Sequence, residues 1–537
     1  MRRLFVFTLL LFSLGCSDKK ETKVIPFEFS TISASEKLKL ATDESYLKAQ
    51  GYDELAIQFL QDYYSKCKHE PKWINDTMLL SNGLALKEVL QQNIAIGIPN
   101  ARMIQVNTSN YIQDELFITA SLGRTIHDLH YGMIDFKSAP IIAKPKKFIS
   151  PDSLELLADF SDTVKRDLQI KFMHFGPKDS LYTALAYGLI EWTDSLKSID
   201  TNRFNVPQTK EDTLGSLREA RESLISKGFM NDSIMDSLGI TNALKSFQIV
   251  NLIKPDGKIG YNTCAALNES TYDKMLRVIL TMDKIRSKKP YPKKYLRINL
   301  PEYKLRYFED DTLRSEHNIV VGKPANSTPE LTSKLRKIVV YPFWNIPYSI
   351  ATKEILPATK RNVGYLAKHN YKVYKGGNLI DPYTVNWRNY GIRSFPFKFI
   401  QDPGPKNSLG IIKFDFHNEH SVYFHDSPAK SLFSLPVRAF SHGCMRTQNP
   451  VQLGKIILEK DSLSPRRFNP VRPDTLDSLL FSISDTIPFE DKHVEIKLID
   501  PVPIFVEYET GAREGEKMRL HIDIYGRDEE YIKLLEE

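Results

Sequence analysis

The residues with the clearest chemical potential are Cys444 and His425. Cys444 stands in the run Ser441-His442-Gly443-Cys444-Met445-Arg446, and His425 precedes it by 19 positions. A thiol attacks a carbonyl carbon as the thiolate, so a nucleophilic cysteine needs a base or a positive field. His425 ends a predicted strand, and the loop that follows can return the chain beside it. The pattern predicts acyl transfer with Cys444 as nucleophile and His425 as general base.

The neighbours of Cys444 are predicted to support it. Gly443 permits unusual backbone dihedrals, and the amides of Gly443 and Cys444 are expected to face a developing oxyanion. His442 is expected to point away from the thiol and to play a supporting part near the oxyanion. Arg446 and Ser441 are candidate substrate contacts, and a structural ion pair is the alternative for Arg446.

The elements that carry these residues are predicted to be strands. Hydrophobic periodicity changes to two near residue 296, which indicates a mainly β catalytic domain over 290–466. An aromatic and basic stretch at about 354–400 interrupts the strands, as an inserted lid would. Tyr341, Trp344 and Asn345 lie just before this lid and are candidate substrate contacts, with a place in the core as the alternative.

The rest of the chain is predicted to be mostly helical. Apolar residues recur at helical spacing over 39–205, and a smaller helical unit with an Asp-Gly turn follows at 208–275. Residues 467–537 carry short strand signals at Val494 to Leu498, Ile504 to Tyr508 and Leu520 to Ile524, followed by an acidic helix. They are predicted to complete the catalytic and helical regions. The expected fold class is multidomain α+β.

The N-terminus has the layout of an export signal. A positive start precedes a largely apolar region of eleven residues, Leu4 to Leu14, which is too short to span a bilayer comfortably. Gly15-Cys16 then resembles a lipobox, so residues 1–16 are predicted to be a lipoprotein signal with Cys16 as the lipidated residue. An ordinary cleaved secretory peptide is the alternative. The polar residues 17–38 are predicted to be a linker.

The composition excludes some classes of partner. The net charge is +7 with 26% charged residues, and no basic block resembles a nucleic-acid-binding arm. This mild positive bias suits an anionic polymer or a membrane surface. No zinc or calcium loop pattern occurs, so no metal or cofactor is expected. Cys67 and Cys264 are interpreted as small buried hydrophobes, and a disulfide between them is an unsupported alternative.

Several segments resemble two known families. The sequence HDSPAKSLFSLPVRAFSHGCMR resembles the signature of L,D-transpeptidases with the YkuD-type catalytic domain. The upstream segments VGKPANSTPELTSKLRKIVVYPFWNIPYSIATKEILP and GPKNSLGIIKFDF look like parts of the large anchored Gram-negative type, which also has a helical scaffold and a capping lid. The sequences ALKSFQ and PDGKIGYNTCAALN resemble the three-helix peptidoglycan-binding module.

The resemblance implies a two-step reaction in the periplasm. Cys444 attacks the L-centre carbonyl of diaminopimelate in a tetrapeptide stem, and D-alanine leaves with a proton from His425. The side-chain amine of a second stem then attacks the acyl-enzyme, which gives a diaminopimelate-to-diaminopimelate cross-link. The implied partners are peptidoglycan stem peptides and glycan, with a membrane held through Cys16. The family implies sensitivity to carbapenems and no cofactor.

Several alternatives remain open at this point. Water as acceptor would make the protein an L,D-carboxypeptidase, and a protein acceptor would make it a lipoprotein-to-wall attachment enzyme. A wall-tethering lipoprotein with an inactive catalytic fold is the non-enzyme alternative. Other cysteine hydrolases and sortases are disfavoured, because the order and spacing of His425 and Cys444 differ from theirs.

Overall fold

The computed structural model describes residues 32–106, 108–136, 160, 164–196, 198–233, 236–404, 406–462, 476–477, 479–480 and 493–536. The predicted signal over 1–16, Cys16 and the first part of the predicted linker lie outside these residues. Among the residues described, no helix combines the length and the hydropathy needed to cross a membrane.

The N-terminal part folds into a helical unit. Its helices are α1 (Ala34–Ala41), α2 (Glu44–Gln50), α3 (Glu54–Lys66), α4 (Ser81–Gln91), α5 (Tyr111–Tyr131), α6 (Lys165–Met173) and α7 (Ser180–Ser195). Side chains of Asp43, Asp53, Asn110 and Asp179 accept backbone N–H bonds at helix starts, which explains why the chain turns into a helix at those points. Apolar faces of these helices share one core.

A smaller helical unit follows, with its own core. It contains α8 (Thr213–Ser226), α9 (Ser237–Val250) and α10 (Tyr261–Asn268). Gln248 closes the turn between α9 and α10, because its side chain accepts from the Gly257 amide at 2.8 Å and donates to the Lys258 carbonyl at 3.0 Å. Helix α11 (Thr271–Ser287) then returns into the core of the first unit, where Met275, Ile279 and Met282 are buried.

A nine-stranded sheet forms the C-terminal domain. Its strands are β1 (Lys294–Asn299), β2 (Lys304–Glu309), β3 (Thr312–Gly322), β4 (Leu331–Val340), β9 (Ile412–Phe416), β10 (Phe424–His425), β11 (Ala439–Ser441), β12 (Met445–Thr447) and β13 (Val494–Glu507). The strand order is β11-β3-β12-β10-β9-β4-β13-β1-β2, and β2 also pairs with β3, so the sheet closes on itself. Its interior is filled by alternate side chains of the strands, and helix α15 (Pro450–Ser462) packs against it.

The lid is a separate layer with its own core. It contains the strands β5 (Trp344–Asn345), β6 (Tyr371–Lys375), β7 (Asn378–Ile380) and β8 (Phe397–Gln401), in the order β5-β8-β6-β7. Its helices are α12 (Tyr348–Ile350), a π turn (Ala351–Ile355), α13 (Leu356–Arg361) and α14 (Gly364–Lys368). Buried residues of this core run from Ile346 to Phe399, so the inserted layer begins a few residues before the predicted boundary at about 354.

The last part of the chain serves both large units. The predicted strand signals at Val494 to Leu498 and Ile504 to Tyr508 belong to one strand, β13, whose register shifts between Lys497 and Val502. The hairpin β14 (Gly511–Glu514) and β15 (Lys517–Leu520) and helix α16 (Asp528–Glu536) contact the helical unit instead. The predicted final strand, Leu520 to Ile524, is therefore wrong beyond Leu520. The multidomain α+β fold class is confirmed.

A buried ion cluster joins α11 to the closed sheet. Lys288 follows α11 and contacts Glu507 at 3.0 Å and also Glu509, while Arg297 on β1 contacts Glu507 at 2.9 Å and also Glu509. Burial raises the pKa of Glu509, but Arg297 and Lys288 outweigh it and hold the pKa at about 2. The Glu509 amide and carbonyl are also bonded to Asn299. The cluster therefore fixes the catalytic sheet against the helices.

We expect Glu509→Ala to lower the free energy of unfolding by about 3–5 kcal/mol, because it leaves Lys288 and Arg297 buried with too few carboxylates. Denaturant unfolding followed by circular dichroism measures this loss. Glu514→Ala removes an exposed partner of Arg519 and is the control, with a loss of about 0–1 kcal/mol. Equal losses for the two variants would contradict a stabilising role for the cluster.

Candidate active site

The two sequence-predicted catalytic residues lie on neighbouring strands of the closed sheet. Strand β10 pairs in parallel with β12 and antiparallel with β9, and His425 is opposite Arg446 on one side and Lys413 on the other. Paired residues on neighbouring strands place their side chains on the same face. Phe424, Phe414 and Met445 alternate with them and fill the interior of the sheet. Lys413, His425 and Arg446 therefore form a cross-strand row on the outer face. We call it the cationic row after the charges of Lys413 and Arg446.

His425 is held as a neutral imidazole. Its side chain is buried, and Nδ1 lies 2.5 Å from the Asp426 carbonyl oxygen. A carbonyl only accepts, so Nδ1 carries the proton and Nε2 is left as the basic nitrogen. Burial and then the Arg446 cation lower the pKa of His425 to about 3, against the Asp426 carbonyl, which raises it. Lys413 lowers it further. His425 is therefore unprotonated at neutral pH, and its neighbours disfavour the imidazolium form.

Cys444 lies beside Tyr423 at the start of β12. The Met445 amide donates to the Tyr423 carbonyl at 3.0 Å, and Cys444 Sγ lies 4.0 Å from the Ser421 carbonyl oxygen. Burial raises the pKa of the Cys444 thiol, while bonds from Tyr423 and the charges of Lys413 and Arg446 act in the opposite direction. The resting pair is thus a thiol with a neutral imidazole. The thiolate forms when a base takes the proton, and the cationic row then stabilises it.

The turn before Cys444 is closed by its own hydrogen bonds. The Ser441 hydroxyl donates to the Cys444 carbonyl at 2.5 Å and accepts from the Gly443 amide at 3.1 Å. Ser441 is buried, and both of its bonds are within the turn. Substrate contact by Ser441 stays a prediction. The Gly443 amide, which was expected to face the oxyanion, donates to the Ser441 hydroxyl instead. The Cys444 amide is then the backbone donor of this turn that fits an oxyanion contact.

Gly443 is required by its backbone conformation. Its φ is +116°, a region that L side chains rarely adopt, whereas an added Cβ would meet its nearest atoms at an ordinary 3.8 Å. The buried Thr328 hydroxyl donates to the Gly443 carbonyl at 2.8 Å and accepts from the Gly322 amide at 2.9 Å. Thr328 therefore sets the orientation of the peptide next to Cys444.

His442 connects the turn to the lid. Its Nε2 lies 2.5 Å from the Glu354 carboxylate, and Glu354 belongs to the π turn of the lid. His442 is exposed, and this contact directs it to the lid. The structure therefore gives it a different partner from the oxyanion region expected from sequence. The contact makes the lid one wall of the site.

The three residues before the lid have different surroundings. Tyr341 is buried, and its hydroxyl donates to the Leu480 carbonyl at 3.1 Å, which favours the alternative of a place in the core. Burial raises the pKa of Tyr423, which lies next to Cys444, and the half-buried Trp344 side chain acts in the opposite direction. Asn345 is exposed on β5, opposite Ile400. Substrate contact by Trp344 and Asn345 stays a prediction.

Sequence reasoning missed Tyr423, Lys413 and Thr328. Tyr423 is two residues before His425, so strand alternation alone would have placed both on one face. Lys413 required the register of β9 against β10, and the contact of Thr328 with Gly443 spans 115 positions. The part of the chain that the structure describes contains no group of three or more His, Cys, Asp or Glu side chains that could hold a metal ion.

We expect Lys413→Gln to slow alkylation of Cys444 by iodoacetamide, by roughly threefold at pH 8, because one cation that favours the thiolate is lost. The pH of half-maximal rate should move upward, since the pKa of the thiol rises further. Mass spectrometry of the Cys444 peptide separates this thiol from Cys67 and Cys264. Lys66→Gln, on exposed α3 surface, is the control. An unchanged profile in Lys413→Gln would exclude this electrostatic role.

Comparison with known proteins identifies the domains. The family model for the L,D-transpeptidase catalytic domain, YkuD, matches residues 293–465, and that for the scaffold domain matches 58–189. A Haemophilus influenzae protein, provisionally named an L,D-transpeptidase, is 31% identical over 232 residues, which are 43% of this chain. The match spans 44% of that relative's length.

Solved L,D-transpeptidases are also similar, at low identity. That of Stackebrandtia nassauensis is 13% identical, with a TM-score of 0.16 over 56% of this chain and 92% of the other. That of Xylanimonas cellulosilytica is 13% identical, with a TM-score of 0.14 over 58% and 99%. The family models and the curated relative, taken with the site, identify this chain as one that carries a YkuD-type L,D-transpeptidase catalytic domain and a scaffold domain.

Proposed function

We propose that the protein forms diaminopimelate-to-diaminopimelate cross-links in peptidoglycan through an acyl-enzyme on Cys444. The observation that carries the proposal is the shared outer face of Cys444, His425, Lys413 and Arg446 in a transpeptidase domain. A nucleophile, a neutral base and two cations on one face meet the needs of acyl transfer. A tetrapeptide stem, with its carboxylates, is the donor that this charge distribution favours.

In the first step, His425 Nε2 takes the thiol proton as Cys444 attacks the donor carbonyl. The tetrahedral oxyanion accepts a hydrogen bond from the Cys444 amide, and the positive charges of Lys413 and Arg446 lower its energy. The imidazolium then gives its proton to the nitrogen of D-alanine, which leaves. Because the neighbouring cations disfavour the imidazolium, proton return to the leaving group is strongly driven.

The membrane anchor and the location belong to the same proposal. Acylation of Cys16 would hold the protein at a membrane facing the periplasm, where stem peptides are found. The unit formed by 208–275 would contact glycan near the catalytic domain. Mass spectrometry of the mature N-terminal peptide tests the anchor. A diacylated or triacylated Cys16 supports it, and cleavage without acylation contradicts it.

We expect a soluble form that begins after Cys16 to convert tetrapeptide-rich muropeptides into cross-linked dimers with release of D-alanine. Cys444→Ala should reduce both products to the level of a sample without enzyme, because no thioester forms. Mass spectrometry of the products measures both. Cys264→Ala, which removes a buried thiol of the small helical unit, is the control and should keep activity.

The other outcomes separate the alternative functions. Release of D-alanine with tripeptide monomers alone, at saturating acceptor, would show an L,D-carboxypeptidase. Attachment of a lipoprotein to the stem, without stem dimers, would show a lipoprotein-to-wall attachment enzyme. Products formed equally by Cys444→Ala and by the unmodified protein would contradict the cysteine mechanism. No product from either protein would favour a wall-tethering protein.

We expect Thr328→Val to lower the rate of acylation by about tenfold, because the Gly443 peptide loses its hydrogen bond and the oxyanion donor next to it loses its orientation. Single-turnover release of D-alanine measures this rate. Thr328→Ser keeps the hydroxyl and should stay within about twofold of the unmodified enzyme. Unfolding curves of both variants distinguish a positioning effect from a loss of folded protein. An equal rate for Val and Ser would rule out this role of Thr328.

A further inference from the structure

A basic groove opens beside Cys444. Its volume is about 700 Å³, and Ser421 and Tyr423, which adjoin the Cys444 thiol, line one end. We call it the Lys413 groove after the member of the cationic row that lines it.

The lining comes from the outer face of four adjacent strands. Lys337 on β4 is opposite Asp415 on β9 and Lys497 on β13, and Lys413 on β9 is opposite His425 on β10. These pairings place the side chains on the face that carries the catalytic pair. Lys413 Nζ also lies 4.1 Å from the centre of the Tyr423 ring. The groove is thus continuous with the active site.

Positive charge exceeds negative charge along this surface. The cationic lining residues are Arg336, Lys337, Lys413 and Lys497, and Asp415 is the lining carboxylate. Asp415 lies 3.3 Å from both Lys337 and Lys413, and Glu495 lies 3.0 Å from Lys337. Arg336 and Lys497 are exposed. A concave surface with this excess attracts carboxylates from solution.

We propose that the Lys413 groove is the acceptor site, and that it binds a stem peptide through the carboxylate beside its attacking amine. This inference rests on the proposed function, because an acceptor exists only for a transpeptidase. The acceptor amine must lose its proton before it attacks, and nearby cations disfavour an ammonium ion. The cations of the groove therefore have two effects: they hold the carboxylate, and they favour the neutral form of the amine. An alcohol or water has no carboxylate and gains nothing from it.

The transfer step balances with the residues already described. The neutral amine attacks the thioester carbonyl carbon, a C–N bond forms, and the C–S bond to Cys444 breaks. His425 Nε2 accepts the proton that the nitrogen loses as the C–N bond forms, and passes it to the departing Cys444 sulfur. The products are the amide cross-link and the thiol with neutral imidazole, which is the resting state of the pair.

The test separates the two half-reactions. A donor tetrapeptide muropeptide acylates the enzyme, and a tripeptide with a free diaminopimelate amine is added as acceptor at increasing concentration. We expect Arg336→Gln combined with Lys497→Gln to raise the acceptor concentration that diverts half of the acyl-enzyme from hydrolysis to cross-linking, by about five- to tenfold. D-alanine release without acceptor should be unchanged, because neither side chain lies in the cationic row.

A second acceptor tests the carboxylate. The same tripeptide, amidated at the carboxylate beside the attacking amine, should be a poorer acceptor than the free tripeptide for the unmodified enzyme. With the amidated acceptor, the unmodified enzyme and the variant that lacks Arg336 and Lys497 should perform equally poorly. Lys39→Gln combined with Lys66→Gln removes two exposed cations of the helical unit, and is the matched control.

Four outcomes would overturn the acceptor assignment or the proposed function. Unchanged partitioning in the Arg336 and Lys497 variant, or no preference for the free carboxylate, overturns the acceptor assignment. A fall in D-alanine release without acceptor would assign the groove to the donor and also overturn it. If the unmodified enzyme releases no D-alanine, the proposed function itself fails, which is a different outcome from altered partitioning.

Discussion

The site depends on the register of one very short strand. Strand β10 contains Phe424 and His425, with β9 on one side and β12 on the other. A slip by one residue would exchange the two faces, placing the imidazole in the core and the phenyl ring at the site. Phe424 is fully buried, with its ring 4.9 Å from that of Phe416, so hydrophobic packing on the inner face maintains the chemistry on the outer face.

That register also determines the electrostatics. The same two cations, Lys413 and Arg446, lower the pKa of His425 and oppose the rise in the pKa of Cys444. They therefore disfavour the imidazolium of His425 and favour the thiolate of Cys444. For the thiol, burial outweighs them, so its pKa stays raised and the resting pair is uncharged. Under the proposed function, charge separates in the acylation step, where the same cations can stabilise both thiolate and oxyanion.

Much of this site was predictable, and the failures have physical reasons. The positions of His425 and Cys444 on neighbouring strands could be expected from sequence, because strand and turn patterns are local signals. The orientation of the Gly443 amide does not follow from sequence, since it depends on a hydrogen bond to Ser441 and on Thr328 from a distant loop. Tyr341 shows another limit, because an aromatic residue near a predicted groove has the same pattern as one in the core.

A transpeptidase must also choose an amine over water, which is far more abundant. Complete exclusion of water does not fit this molecule, because an open groove adjoins the thiol. Under the proposed function, charge supplies the selection instead. A stem peptide is attracted through its carboxylate and held with its amine uncharged, whereas water gains no such attraction. An active site open on one side can then remain selective, because its electrostatic potential discriminates between nucleophiles that its shape would admit.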